Sequence, residues 1–184
     1  MEQIQRIKQY ADHLRLTLLR SQAEHFIHRA QIDKPTYLEY TCDVLEQEVR
    51  QRQKTDMDRR MKMARLPRSH DLNLFDYSFA SGINKQQLQQ LRELVWIEQA
   101  YNLVLMGPSG IGKTFIAAGL VHEAILKGYR AYFTGMEDLI NVLKMKEMTS
   151  NAMNTYNRYL RAHLIAIDDI MLLPVAKVDA NRFF

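Results

Sequence analysis

The sequence predicts an α/β fold, in which a domain with a parallel sheet follows an all-α N-terminal domain. Residues 1–68 contain no glycine and begin with a helical spacing of apolar residues: Ile4, Ile7, Ala11, Leu14 and Leu18. The apolar runs 102–106 and 164–167 are typical of short, buried parallel strands. A glycine-rich loop and a helical pattern follow the first run. We therefore expect two domains, at 1–68 and 69–184.

The composition is that of a globular protein, with 47% hydrophobic residues and a formal net charge of +4. The single cysteine, Cys42, excludes an internal disulfide, which suits a reducing cytoplasm. The N-terminus has no signal-peptide pattern, and no run approaches the ~18 apolar residues of a membrane span. We therefore expect a cytoplasmic protein without membrane contact.

Positive charge is concentrated in one tract at the end of the helical region. Two acids, Asp56 and Asp58, stand there among eight basic residues: Arg50, Arg52, Lys54, Arg59, Arg60, Lys62, Arg65 and Arg68. Such a tract favours binding to the phosphate backbone of double-stranded DNA, without reading its sequence. The alternative is a solvated, charged helix surface.

Local signals predict where the elements begin and end. Capping boxes start helices after Thr36, paired with Glu39, and after Asn84, paired with Gln87. The first of these helices should end before Pro67. The remaining patterns predict a linker at 69–83 that packs on the next domain, helices at 84–100 and 113–127, a strand at 130–134, a helix from residue 136 and a strand at 164–167.

The loop after the first apolar run matches the pattern GxxxxGK[ST]. It consists of Gly107, Pro108, Ser109, Gly110, Ile111, Gly112, Lys113 and Thr114. Glycines let backbone amides converge on a phosphate, and the following helix points its positive end at the same anion. Lys113 is then a candidate contact to the β and γ phosphates, and Thr114 a candidate Mg²⁺ ligand. The alternative is a simple glycine turn with a solvated lysine.

Two adjacent acids follow the run 164–167. Asp168 is a candidate Mg²⁺ ligand, and Asp169 is a candidate to orient or deprotonate an attacking water. The strand that Asp168 ends should run parallel to the glycine-loop strand. The alternative is a pair of loop aspartates, which are common at strand ends. Three linker aromatics are candidates for stacking on adenine or for plain core packing: Phe75, Tyr77 and Phe79.

Together these motifs resemble the IstB-type ATP-binding proteins, AAA+ helpers of insertion-sequence transposition that are similar to DnaC-type helicase loaders. The resemblance covers essentially the whole chain. It rests on LRL at 14–16, LFDYSF at 74–79, NLVLMGPSGIGKT at 102–114, GYRAYFT at 128–134 and LIAIDDIMLLP at 164–174.

The resemblance implies a P-loop NTPase core of the AAA+ type that binds ATP and Mg²⁺. It also implies self-association into a ring or helix on DNA and recruitment of a transposase. Lys113, Thr114, Asp168 and Asp169 would carry over as phosphate lysine, Mg²⁺ ligands and water activator. Asp169 stands where many relatives of the wider superfamily have glutamate, so its reach to water is one methylene shorter.

Members of that family continue well past the second acidic motif, whereas this sequence stops 15 residues after Asp169. The family's sheet also places a further strand between the strands 102–106 and 164–167, so these two should not pair directly. We therefore expect an AAA+ core that is incomplete at the C-terminus and hydrolyses ATP weakly. Two other functions stay open, namely a replicative helicase loader and a non-catalytic DNA-binding or inhibitory fragment.

Overall fold

The computed structural model describes residues 2–78 and 82–170. The chain divides into two compact units, Met1–Asp58 and Arg59–Phe184. The last ten residues of the predicted helical domain, 59–68, therefore lie in the second unit. Within the described ranges, no helix is long and apolar enough to cross a membrane.

The first unit is helical, as predicted. It contains α1 (Glu2–His13), α2 (Thr17–Asp33) and most of α3 (Tyr37–Met63), and α1 packs against α2. Arg15 adopts a left-handed φ of 55° in the turn between α1 and α2. This turn interrupts the apolar helical face before Leu18.

Both predicted capping boxes are present. Thr36 Oγ1 accepts the Glu39 amide at 3.2 Å, while Glu39 Oε2 accepts the Thr36 amide at 2.8 Å. Asn84 and Gln87 make the same reciprocal pair, at 2.8 and 3.0 Å. α3 ends before Pro67, and α4 (Lys85–Glu93) begins directly after Asn84, as the sequence predicted.

A buried carboxylate on α3 holds the start of α2. Glu48 is only 2% exposed, and its Oε1 accepts the Leu19 amide at 2.6 Å. Leu16, the N-cap residue of α2, has no side chain that can cap, so Glu48 supplies the acceptor from another helix. One turn further along α3, Arg52 donates to the Arg15 carbonyl oxygen at 2.6 Å. α3 thus holds the α1–α2 turn at two points.

The second unit combines helices with a small parallel sheet, which confirms the predicted α/β class. Its described elements after α3 are a 3-10 turn (Leu72–Leu74), α4, α5 (Val95–Glu98), α6 (Lys113–Leu126), β1 (Ala131–Gly135), α7 (Met136–Met145), α8 (Ser150–Leu160) and β2 (Leu164–Asp168). β1 and β2 pair in parallel, with Ala131 opposite Leu164 and Gly135 opposite Asp168. The strands predicted at 130–134 and 164–167 are therefore confirmed to within one residue.

Helix α6 forms the core of the second unit. It packs on both strands, on α4 and on the 3-10 turn. Full burial of one large aliphatic side chain contributes about 1.5–3 kcal/mol. Among the described helices of the unit, α6 has the most buried residues, seven in all: Ile116, Ala118, Gly119, Leu120, Val121, Ala124 and Ile125.

The end of α3 packs against β1. The Phe133 amide donates to the carbonyl oxygen of Ala64 at 2.9 Å, and Ala64 is buried. Arg60 donates to the Gly128 carbonyl oxygen. These contacts give an amide of β1 a partner outside the sheet and explain why residues 59–68 belong to the second unit.

Two predicted elements differ from the structure. The strand predicted at 102–106 is wrong, because these residues have no regular secondary structure. The strand at 164–168 pairs with β1 and not with this segment, in keeping with the expectation that the two would not pair directly. Among the described residues no strand pairs with this segment, and Val104 and Met106 are 74% and 76% exposed. The helix predicted to reach residue 100 is interrupted by Leu94, whose φ is 63° and whose side chain is buried.

We expect Glu48→Ala to lower the free energy of unfolding by about 1–3 kcal/mol, because it leaves the Leu19 amide without its acceptor. Glu48→Gln keeps an acceptor oxygen and should cost less. Glu46→Ala is the matched control, since Glu46 makes an exposed pair with Arg50 at 2.5 Å that contributes at most about 1 kcal/mol. Urea denaturation followed by circular dichroism measures all three, and equal losses for the two alanine variants would contradict the assigned role of Glu48.

Candidate nucleotide-binding site

Three glycines determine the path of the predicted phosphate loop. Gly107, Gly110 and Gly112 have φ values of 148°, 83° and 91°. An added Cβ at Gly110 would meet no atom within 4 Å, so its left-handed backbone alone calls for glycine. At Gly112 an added Cβ would also lie 2.9 Å from Phe75 Cε2. Position 112 therefore calls for glycine for two reasons, its left-handed backbone and the nearby Phe75 ring.

The loop leads the chain directly into the N-terminus of α6. Gly112 is the N-cap residue and offers no side-chain cap to the first turn, so amides there can bind an anion. Pro108, Ser109 and Gly110 are exposed, and Ile111 is half-buried. The loop is therefore accessible from solvent.

Lys113 lies over the loop. Its Nζ donates to the carbonyl oxygens of Gly107 at 2.9 Å and Pro108 at 2.6 Å. An ammonium group in this position can transfer its hydrogen bonds to phosphate oxygens. The next residue, Thr114, is exposed in the first turn of α6, where its hydroxyl is a suitable oxygen donor for Mg²⁺.

The two predicted acids lie at the carboxyl end of β2. Asp168 is half-buried and its Oδ1 accepts the Asp169 amide at 3.0 Å, while Asp169 is exposed with a left-handed φ of 58°. In the described part of the chain, no hydrogen bond or ion pair joins either acid to Lys113 or Thr114. The connection between the acids and the loop is α6, which starts at the loop and packs on β2.

The segment before α4 packs along α6, as the sequence predicted for the linker. The segment runs antiparallel to α6. The His70 ring lies on the His122 ring, with 4.7 Å between the centroids, Leu72 packs on Gly119, and Phe75 packs on Gly112. Burial, and then the neighbouring His70, lower the pKa of His122. The individual pairs were not predicted, although a glycine in the middle of a helix, here Gly119, is a signal of close packing.

Two of the linker aromatics, Phe75 and Tyr77, pack together beside the loop with Phe115 of α6. Phe75 is 9% exposed and lies edge-on to Tyr77 at 5.0 Å and tilted to Phe115 at 5.9 Å. Packing therefore accounts for Phe75. Tyr77 is 38% exposed, and Phe79 lies outside the described residues.

The eight basic residues of the predicted DNA-binding tract differ in their contacts. Four have partners within the chain: Arg50 with Glu46, Arg52 with the Arg15 carbonyl, Arg60 with the Gly128 carbonyl, and Arg65 with Asp138 at 3.9 Å. Arg59 is also engaged in an interaction. Three are exposed and have no hydrogen bond or ion pair to another described residue: Lys54, Lys62 and Arg68.

Comparison with known proteins gives a consistent result. A family model described as IstB-like ATP binding protein matches residues 9–184. An ATP-binding protein of an IS21-like insertion sequence from Bacteroides fragilis is 46% identical over 96% of this chain and 67% of its own length. A second, from strain YCH46, is 44% identical over 95% of this chain and 87% of its own length.

A more distant relative is the ATP-binding protein of insertion sequence IS21 from Pseudomonas aeruginosa. It is 30% identical over 93% of this chain, and the match spans 64% of the relative's length. The glycine loop, the mixed fold that carries it and the match over residues 9–184 agree. This chain belongs to the family of IstB-like ATP-binding proteins.

Proposed function

We propose that this chain binds ATP with Mg²⁺ and assists a transposase in the transposition of an insertion sequence. The observation that carries the proposal is the glycine loop, which ends at the uncapped N-terminus of α6 with Lys113 Nζ over it. The relatives, which are described as ATP-binding proteins of insertion sequences, support the biological context. Copurification with a replicative helicase instead of a transposase would contradict that context.

In this proposal the residues divide the work by their chemistry. The amides of the loop and the Lys113 ammonium bind the phosphates, and Thr114 and Asp168 offer the oxygen donors that suit Mg²⁺. The metal, when bound, neutralises charge on the phosphates. Asp169 orients or deprotonates the attacking water, and its exposure leaves it accessible to solvent.

We expect Lys113→Ala to weaken the binding of Mg-ATP at least about tenfold, because a full charge close to the phosphates is lost. The melting temperature without nucleotide should change little, since the Lys113 side chain makes its hydrogen bonds within the described chain to two loop carbonyls. Isothermal titration calorimetry measures the affinity. Lys85→Ala removes an exposed lysine at the start of α4 and should bind as the wild type does. Unchanged affinity in Lys113→Ala would contradict ATP binding at the loop.

We further propose that the basic tract binds double-stranded DNA and that subunits self-associate on it as a ring or helix. The exposed side chains of Lys54, Lys62 and Arg68 support the DNA contact. Arg52 and Arg60 donate to backbone carbonyls of this chain. Substituting them would therefore change the stability of the fold as well as any DNA binding, and the two effects could not be separated. The exposed residues are therefore the better probes.

We expect the double variant Lys54→Ala/Lys62→Ala to bind duplex DNA more weakly and to reduce the slope of log affinity against log salt by about 2. Fluorescence anisotropy at several salt concentrations measures the slope. Lys85→Ala/Arg161→Ala removes the same charge from exposed positions outside the tract and is the control. A slope that stays at the wild-type value, or that falls equally in the control, would contradict the proposed interface.

We also propose that this chain by itself hydrolyses ATP poorly. Residues 101–106, which lead into the loop, belong to no strand of the described sheet. No hydrogen bond or ion pair among the described residues joins Asp168 or Asp169 to Lys113. Hydrolysis depends on holding the water, metal and phosphate in one geometry, so this arrangement favours binding over turnover.

A chimera in which the corresponding C-terminal part of the 46% identical Bacteroides fragilis relative follows residue 184 tests this proposal. We expect it to turn over saturating Mg-ATP at least about tenfold faster than the 184-residue chain, which is about 1.4 kcal/mol in the barrier. The chimera carrying Lys113→Ala is the control for turnover at this loop. Equal rates for the chain and the chimera would contradict the proposal that the chain by itself hydrolyses ATP poorly.

A further inference from the structure

We propose that Phe75 is a positioning residue for the phosphate loop. Its ring fixes the backbone at Gly112 and, through it, the amides that bind phosphate. This inference rests on the proposed ATP binding and adds to it a residue outside the GxxxxGK[ST] pattern. The experiments below separate its failure from the failure of ATP binding itself.

The Phe75 ring occupies the space into which a side chain at Gly112 would point. A Cβ built on Gly112 would lie 2.9 Å from Phe75 Cε2, 3.6 Å from Cζ and 3.9 Å from Cδ2. Real Cβ contacts are essentially never shorter than 3.0 Å, so the ring fills the space against the Gly112 Cα. Glycine has wide φ and ψ freedom of its own, and such a contact removes part of that freedom at the last loop residue before α6.

Phe75 is itself held firmly. The ring packs on Tyr77 and Phe115, and only 9% of the residue is exposed. Its amide donates to the Leu72 carbonyl oxygen at 3.3 Å, and Leu72 in turn packs against Gly119 of α6. Displacing the ring to make room for Gly112 would therefore disrupt these packing contacts.

A second anchor ties the same segment to α6. Arg92 of α4 donates to Asn73 Oδ1 at 3.1 Å and to Glu123 Oε1 at 2.6 Å. Asn73 lies in the 3-10 turn and Glu123 near the end of α6. One guanidinium thus joins the linker to the far end of the helix whose near end carries the loop.

The position of Gly112 matters because residues 101–106 provide no strand beneath the loop in the described structure. Within the described residues the loop is restrained by α6, by the Lys113 hydrogen bonds to Gly107 and Pro108, and by Phe75 at Gly112. Phosphate affinity depends on several amides converging on one anion, and a small displacement at Gly112 would spoil that convergence.

The first experiment compares Phe75→Ala with Leu72→Ala in the full 184-residue chain. Leu72 is 3% exposed in the same segment, but it contacts α6 at Gly119, two turns from the loop. Calorimetry measures the binding of two probes, Mg-ATP and Mg-tripolyphosphate. We expect Phe75→Ala to weaken both by about tenfold, the loss of about one charge-assisted hydrogen bond. Leu72→Ala should lower the melting temperature but keep both affinities within about twofold.

The tripolyphosphate arm distinguishes loop positioning from stacking on the base. If Phe75→Ala weakens ATP alone and leaves tripolyphosphate unchanged, Phe75 contacts adenine and the inference is overturned. Equal losses of affinity in Phe75→Ala and Leu72→Ala would reduce Phe75 to a general packing residue and overturn it too. If the wild-type chain binds neither probe, the proposed function fails, and the inference fails with it.

The second experiment does not depend on nucleotide. Gly112→Ala is introduced into the wild type and into Phe75→Leu, and melting temperatures are measured. The left-handed φ of Gly112 strains both backgrounds equally, so only the ring contact differs between them. We expect Gly112→Ala to lower the melting temperature by several degrees less in the Phe75→Leu background. An identical loss in the two backgrounds would show that the ring does not restrain Gly112.

Discussion

Burial of helix α6 is the constraint on which the second unit depends. One side of the helix packs on β1 and β2, and another receives the 3-10 turn and α4. Its N-terminus carries the glycine loop, so the packing that buries Val121 and Ile125 also fixes the orientation of the anion-binding amides. The absence of a side chain at Gly119 belongs to the same arrangement, because Leu72 occupies that space. Fold and candidate site are therefore one problem of packing around a single helix.

The elements that could be predicted from the sequence are those determined locally. Capping boxes, the glycine loop and the two paired strands each depend on neighbouring residues or on burial that composition signals. The strand at 102–106 could not be settled in this way, because a strand exists only with a partner that lies elsewhere in the chain. The break at Leu94 likewise depends on burial of its side chain, and the cap by Glu48 on the packing of three helices. The Lys113 and Thr114 assignments remain predictions with a suitable geometry around them.

A count of the basic residues in the tract does not show how many of their side chains already have partners within the chain. The tract 50–68 appears uniform in sequence, yet Arg52 and Arg60 donate to main-chain carbonyls and Arg65 faces Asp138. A guanidinium that satisfies a backbone oxygen contributes to folding as well as to surface potential. The exposed Lys54 and Lys62 differ, because no contact inside the described chain has to be broken before they can meet a phosphate. The proposed DNA contact therefore concerns a subset of the charges that the sequence displays.

Binding and hydrolysis of nucleotide place different demands on this architecture. Binding needs the loop, the end of α6 and the Lys113 charge, all of which lie within a few residues of one another. In the proposed mechanism, hydrolysis also needs Asp168 and Asp169 at a set distance from the phosphates, and that distance depends on how β2 lies relative to the loop. In the described structure only the packing of α6 on β2 relates them, because residues 101–106 stand outside the sheet. The proposed binding of nucleotide therefore depends on the local geometry of the loop, whereas the proposed hydrolysis depends on how β2 is placed relative to that loop.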